Sequence, residues 1–250
     1  MAPSTKWTRE QNLVALRLYY SLPFGRFHQH NPEVIALARL VGRTPSAVAM
    51  RLSNFASLDP LLQERGIRGL AGISDDARRL WYEFEASPED VLFEAEAALA
   101  GMQVRPLDLG SDFETMGLEG REREALVKVR VNQRLFRKMV LNGYGSTCCV
   151  TGIDEPSLLV GSHIVPWAED ALQRLNPRNG LCLNALHDRA FDVGLMTVSD
   201  DLCVQVAPKA LRAPTLSRWL GEFDGSPLTF GGRLRPDPAL LRWHRERFAG

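Results

Sequence analysis

Apolar residues recur at helical spacing through the first 140 positions, and short β-type runs begin only beyond them. Thr8-Arg9-Glu10-Gln11 has the form of a capping box, and the apolar run through Leu13, Leu16, Leu18 and Tyr20 predicts a helix ending near Ser21-Leu22-Pro23. Asn31-Pro32-Glu33 opens a second helix. Asn caps it, Pro suits its first turn, and Glu complements the positive end of the dipole. That helix runs through Val34, Leu37 and Val41 to Gly42, and Thr44-Pro45 starts a third through Val48, Leu52 and Phe55. Ala77, Leu80, Trp81 and Phe84 mark a buried stripe, and Ser87-Pro88-Glu89 restarts the helix through Leu92, Ala95 and Leu99. Residues 101–120, with Gly at 101, 110, 117 and 120, read as a linker.

A further helix runs from Arg121 to Asn142-Gly143, with Leu126, Val129, Phe136 and Val140 on its apolar face. Two β-type runs follow, Thr147–Thr151 and Leu158–Val165, joined by a turn containing Gly152 and Pro156. A loop from Pro166 to Gly180 leads to a short helix, Asn184 to Phe191. A hairpin then pairs Leu195–Val198 with Leu202–Val206, and Pro238–Phe248 closes the chain as a helix with Trp243 and Phe248 facing the core.

Composition narrows the class. The 250 residues are 45% hydrophobic and 24% charged, ordinary values for a chain long enough to bury a core. No apolar run approaches the roughly 18 residues that a bilayer helix needs, so no membrane partner is expected. The N-terminal residues lack the apolar core of a signal peptide, which predicts a cytoplasmic protein. None of the four cysteines stands in a C-x-x-C pair, so neither a disulfide framework nor structural zinc is expected.

Charge adds more through its distribution than through its total. Thirty Lys/Arg against thirty Asp/Glu give a formal net charge of +0. Yet residues 1–57 hold seven basic residues against two acids, 74–120 hold three against twelve, and 121–140 hold seven against two. The acidic block reads as a solvated helical face; the sharper reading is a shield over a basic surface. The stretch from Ile35 to Val48 has the layout of a helix-turn-helix, with Ala38 inside the first helix and Gly42 in the turn. Such a unit puts its second helix in a major groove, which makes Arg43, Ser46, Ala47 and Arg51 candidate readers. A helical hairpin of purely structural role has the same pattern.

The chemistry is concentrated between 147 and 191, where strand, strand, loop and helix place His163 at a strand end, Asn179 at the loop's end and His187 on the helix. An imidazole takes a proton from water near neutrality, and a cation held by imidazole and carboxylate neutralises a scissile phosphate. The residues resemble a family. Arg130-Val-Asn-Gln133, Phe136-Arg137, Tyr144, Cys148-Cys-Val-Thr-Gly152, Ser162-His-Ile-Val-Pro-Trp167, Asn176-Pro-Arg-Asn-Gly-Leu-Cys-Leu183 and Leu186-His-Asp-Arg-Ala-Phe-Asp192-Val-Gly194 look like an HNH endonuclease domain, in particular the bacterial branch assigned to restriction enzymes. The likeness covers roughly residues 121–206. Trp7-Thr-Arg-Glu10, Leu22-Pro-Phe-Gly25, Gly42-Arg-Thr-Pro-Ser46 and Asn54-Phe-Ala-Ser-Leu-Asp59 are similar to the front part of the same nucleases.

The resemblance implies a ββα-metal fold and hydrolysis of DNA phosphodiesters. By position His163 is the general base, Asn179 holds the loop so that the base keeps its tautomer and aim, and His187 is a metal ligand. Asp192 is the carboxylate partner and Asp188 its competitor, the choice resting on helix phase. Where many of the family carry Asp or His before the base, this chain has Ser162. The expected architecture is α+β: a helical N-terminal DNA-binding module (1–72) with a helix-turn-helix-like unit, an acidic helical connector and linker (73–120), a ββα-metal HNH nuclease domain (121–206) and a C-terminal helical extension (207–250). Arg130, Arg134, Arg137, Lys138 and Arg189 are the expected phosphate contacts. The implied function is a restriction or defence endonuclease using Mg²⁺ or Mn²⁺; the alternative is a DNA-binding regulator on a non-catalytic HNH scaffold. RNA or modified DNA is a further substrate class the same residues permit. One such site cuts one strand, so double-strand cleavage needs a homodimer or two successive nicks.

Overall fold

A computed structural model describes residues 6–22, 25–63, 66–67, 69–70, 72–103, 120–232 and 234–248. The chain divides into two compact units, Met1–Arg134 and Leu135–Gly250. Most of the expected linker, residues 104–119, lies outside the described residues.

The first unit is helical: α1 (Arg9–Ser21), α2 (Pro32–Leu40), α3 (Pro45–Ala56), α4 (Pro60–Gln63), α5 (Asp75–Ala86) and α6 (Pro88–Gln103), with the start of α7 (Gly120–Gly143). The capping box is present, because Thr8 Oγ1 accepts from the Gln11 amide at 3.2 Å while Gln11 Oε1 accepts from the Thr8 amide at 3.1 Å. Asn31 and Thr44 cap α2 and α3, and Gly42 turns between them at φ +65°. Tyr19, Phe55, Trp81 and Phe84 pack together in the core with Tyr20 against them. α5 and α6, expected to form a connector, pack on α1. Arg9 pairs with Glu83 and Glu94, both at 2.8 Å, and Arg17 pairs with Glu96. Three acids of the block thus pair with the basic block of their own unit, while Asp75, Glu85 and Asp90 on the same two helices are exposed. No helix among the described residues is long and apolar enough to cross a membrane.

The second unit is built on a β-hairpin set against α7. β1 (Leu159–His163) pairs antiparallel with β2 (Gly180–Asn184), bringing Leu159 opposite Asn184 and His163 opposite Gly180. Its first strand agrees with the expected Leu158–Val165 run, but its second does not. Thr147–Thr151 forms turns, closed by the Gly152 amide on the Cys148 carbonyl at 2.9 Å. The pairing strand is instead Gly180-Leu181-Cys182-Leu183-Asn184, buried at every position. Packing distance explains the glycines in this hairpin. A Cβ on Gly161 would stand 2.9 Å from the Arg137 Cα, and one on Gly180 would overlap Val140. The helix thus rests directly on the strands, with Phe136 and Val140 as its contact face.

α8 (Ala185–Asp192) follows β2 at once, capped by Asn184, whose Oδ1 accepts from the Leu186 and His187 amides. The expected hairpin is present as β3 (Met196–Val198) with β4 (Val204–Val206). Two short helices, α9 (Pro208–Leu211) and α10 (Pro214–Leu220), precede the last helix, α11 (Pro238–Arg247). α11 docks through His244, which is 3% exposed. Its ring stacks on Phe191 at 3.6 Å, Nε2–H donates to the Phe191 carbonyl at 3.1 Å, and Nδ1 accepts from the Thr197 hydroxyl at 2.9 Å.

Both ring nitrogens are used in the neutral form, and burial followed by the nearby Arg247 and Arg245 charges brings the His244 pKa down to about 4, against the opposing Phe191 carbonyl. A base whose folded pKa lies below its unfolded value of about 6.5 contributes stability that is present above that value and lost as pH falls toward the folded one. The unfolding free energy should therefore drop by about 3 kcal/mol between pH 7 and pH 4 on account of this residue. Urea unfolding across that range should show the loss, reduced in His244→Gln; an identical acid dependence in the variant would remove His244 as its source.

Candidate active site

His163 ends β1 on the side facing α7. Its ring stacks on Phe136 at 3.6 Å with 12° between the planes, and the Trp167 ring meets it edge-on at 5.6 Å. Nε2 lies 2.9 Å from the Arg174 carbonyl. A carbonyl only accepts, so Nε2 carries the proton and Nδ1 keeps the lone pair in the neutral ring. Burial lowers the His163 pKa, and the Arg174 carbonyl partly opposes that shift. The ring is thus held neutral with one basic nitrogen.

Asn179 supplies the support. It is fully buried, and every bonding group of its side-chain amide is engaged. Oδ1 accepts from the Val165 amide at 2.8 Å, and Nδ2 donates to the Val165 and Gln173 carbonyls, both at 3.0 Å. Its own carbonyl accepts from the Ile164 amide at 2.9 Å. One side chain therefore ties the residues just after His163 to Gln173, the neighbour of the carbonyl that orients the imidazole.

Ser162 points the other way, as alternation along a strand requires. It is buried, its hydroxyl has no hydrogen bond of ordinary geometry, and it faces Asp188 closely enough to oppose the upward pull of burial on that carboxyl. Asp188 and Asp192 stand four apart on α8 and share a face. Burial raises Asp192 first, the Asp188 charge adds to it, and Arg189 and Arg247 act against both. Two carboxylates that hinder each other's ionisation beside an unsatisfied hydroxyl form an oxygen-rich set suited to a hard divalent cation.

His187 lies about 100° round α8 from Asp188. It is 1% exposed, with its ring 5.2 Å from Trp219 and 5.1 Å from Phe223 and Nδ1 beside the Asn184 amide group at 2.8 Å. Its Nε2 is buried without a hydrogen-bond partner, and burial lowers its pKa. The structure does not bring His187 to the carboxylates. Among the described residues no three His, Cys, Asp or Glu side chains gather into a metal-binding group. Asp188 and Asp192 thus share one face of α8, and His187 lies off it.

Residues 148–199 match the family model described as HNH endonuclease. The chain carries an HNH endonuclease domain. A comparison with curated proteins found no match. The matched residues begin at the Cys148 turn and end after β3, so the HNH domain holds the ββα core with His163, Asn179 and both α8 carboxylates. It omits Phe136, on which the imidazole stacks, and Trp219, against which His187 packs.

The expected nucleic-acid contacts are placed unequally. Arg51 is 7% exposed, with Nη1 on the Ser74 hydroxyl at 2.9 Å and its guanidinium over the Trp7 ring at 4.6 Å. Burial and then the Arg43 charge lower its pKa. Arg43 is also folded inward, on Gln11 Oε1 at 3.0 Å and over Trp7 at 5.4 Å. Both guanidiniums are thus engaged within the first unit, and Ser46 is exposed at the first turn of α3. Arg137 donates to the Pro156 and Leu159 carbonyls at 2.8 and 3.0 Å and so fastens α7 to the start of β1. Arg134 and Arg189 are exposed, and Arg130 and Lys138 half-buried. The Arg174 carbonyl left no signal in the sequence, because a main-chain acceptor is selected by loop shape alone.

Removing the Asn179 amide strands a buried amide and two carbonyls. Asn179→Ala should destabilise the HNH unit by about 3 kcal/mol, given the cost of unsatisfied buried groups. Denaturant unfolding of the variant checks this, and a loss below half of that value would contradict the network as described.

Proposed function

We propose that this protein is a metal-dependent endonuclease that hydrolyses DNA phosphodiester bonds, acting in restriction or defence. The observation that carries the reading is the fixed tautomer of His163, its proton tied to the Arg174 carbonyl and its Nδ1 lone pair left basic, one residue along β1 from the side chain facing the carboxylates. His163 Nδ1 takes a proton from water as the water oxygen bonds to phosphorus and the P–O bond to the leaving strand end breaks. Asn179 is a positioning residue that keeps the imidazole aimed. Asp188 and Asp192 hold Mg²⁺ or Mn²⁺, with Ser162 beside them. Bound there, a divalent cation neutralises charge on the scissile phosphate and the departing oxygen. Arg134 and Arg189 contribute phosphate contacts, so binding weakens steeply with salt. The α2–turn–α3 pair presents Ser46 and the α3 N-terminus to the duplex.

Supercoiled plasmid incubated with Mg²⁺, Mn²⁺ or EDTA tests the reading. Metal-dependent nicking is expected, reduced by about 10²–10⁴-fold in His163→Ala. Nicking that is absent, or unchanged in that variant, overturns it and favours the non-catalytic scaffold. Because burial lowers the His163 pKa, kcat/KM should rise with pH through a midpoint below about 6.5 and stay flat above it.

The carboxylate assignment has its own test. Asp188→Asn and Asp192→Asn should each raise the Mn²⁺ concentration for half-maximal nicking by at least about tenfold, a loss typical of damage to metal sites. His187→Gln should leave that concentration near the wild-type value; a shift as large as those of the carboxylate variants would return His187 to the metal.

A further inference from the structure

The HNH match ends at residue 199, yet the last helix of the chain returns to the same site. Three residues fix α11 there. His244 is bonded to the Phe191 carbonyl and Thr197, Phe248 covers Gly194 so closely that no Cβ would fit, and Arg245 donates to the Val198 carbonyl at 2.7 Å. The helix is thereby anchored to the residues immediately flanking Asp192.

Arg247 is carried on that anchored helix. Its guanidinium reaches Glu169 Oε1 at 3.2 Å, in the segment that follows His163 and Trp167. The Trp243 and Phe248 rings lie 5.3 and 5.8 Å from it. An arginine on a helix docked against Phe191, the neighbour of Asp192, thus reaches the loop that follows the base. The Arg247 and Glu169 side chains are 40% and 49% exposed, and an ion pair so open to water holds its partners weakly. A guanidinium gains more from a phosphate, which accepts two of its N–H groups together.

We propose that Arg247 is a substrate-binding residue of the nuclease site, taking a backbone phosphate beside the scissile bond, with Glu169 as its partner in the free protein. The proposal rests on the nuclease reading above. It also meets a need of the site: two acidic side chains repel a polyanion, and a cation at their edge offsets that repulsion where the strand must lie.

The test uses the full chain and a fluorescent duplex in EDTA, where cleavage is suppressed, with affinity followed over increasing KCl. Arg247→Ala should weaken binding several-fold and reduce the magnitude of the salt slope by about 1, the expectation for one lost phosphate contact. Arg247→Lys should restore most of the slope, which a purely structural role would not do. Glu169→Gln should tighten binding by freeing the guanidinium. Arg242→Ala, which removes an exposed cation elsewhere on α11, should leave the slope near wild type. In Mn²⁺, nicking by Arg247→Ala should fall at least about tenfold, in the range of misplaced substrate. An unchanged slope in Arg247→Ala, or an equal effect from Arg242→Ala, overturns the proposal. If the wild-type protein nicks nothing, the nuclease reading fails by itself, while the duplex-binding arm still decides whether Arg247 takes a phosphate.

Discussion

A single buried amide sets the geometry of the HNH domain. Asn179 must satisfy its own donors and acceptor in a place water does not reach, and it does so by joining Val165 to Gln173. That closure fixes the course of the intervening loop. The loop course places the Arg174 carbonyl, the carbonyl chooses which imidazole nitrogen carries the proton, and that choice leaves a base at the end of β1. The free imidazole nitrogen is therefore chosen by main-chain atoms that one asparagine holds in place. Buried polar networks of this kind are all-or-none, because a half-satisfied one costs more than an apolar filling.

α8 divides the remaining chemistry between two faces. Phe191 and His187 enter the core, where the C-terminal residues Trp219 and Phe223 enclose the imidazole. Asp188 and Asp192 lie further round the helix, with Arg189 between them in sequence. The His187 ring is thus buried against the N-cap residue Asn184, while Asp192 is exposed.

Where the sequence spoke through local rules, it was readable. The capping box at Thr8, the Asn31 and Thr44 caps, the α8 cap at Asn184 and the β3–β4 hairpin all follow from short-range chemistry that tertiary context did not override. β2 was not legible, because five residues between a loop and a helix carry no alternation when both faces are buried; Gly180 reads as a breaker until the helix lying on it is known. Thr147–Thr151 failed for the opposite reason, since β-branched residues and cysteines suit a buried turn as well as a strand. Helix phase also hid where His187 points, since a shift of one residue turns a side chain to another face and short helices give periodicity little to work with. Arg43, Arg51 and Arg137 show that a basic residue in a promising motif is as readily spent on a tryptophan face or a main-chain carbonyl.

The matched segment and the folding unit are different objects. Residues 148–199 contain the chemistry, but the faces they expose are covered from both sides along the chain, by Phe136, Arg137 and Val140 ahead of them and by Trp219, Phe223, His244 and Phe248 behind. A fragment trimmed to the family boundaries would present a bare glycine surface on its hairpin and an uncovered helix end. In this chain the cradle of the HNH motif is written in sequence on either side of the residues that name the domain.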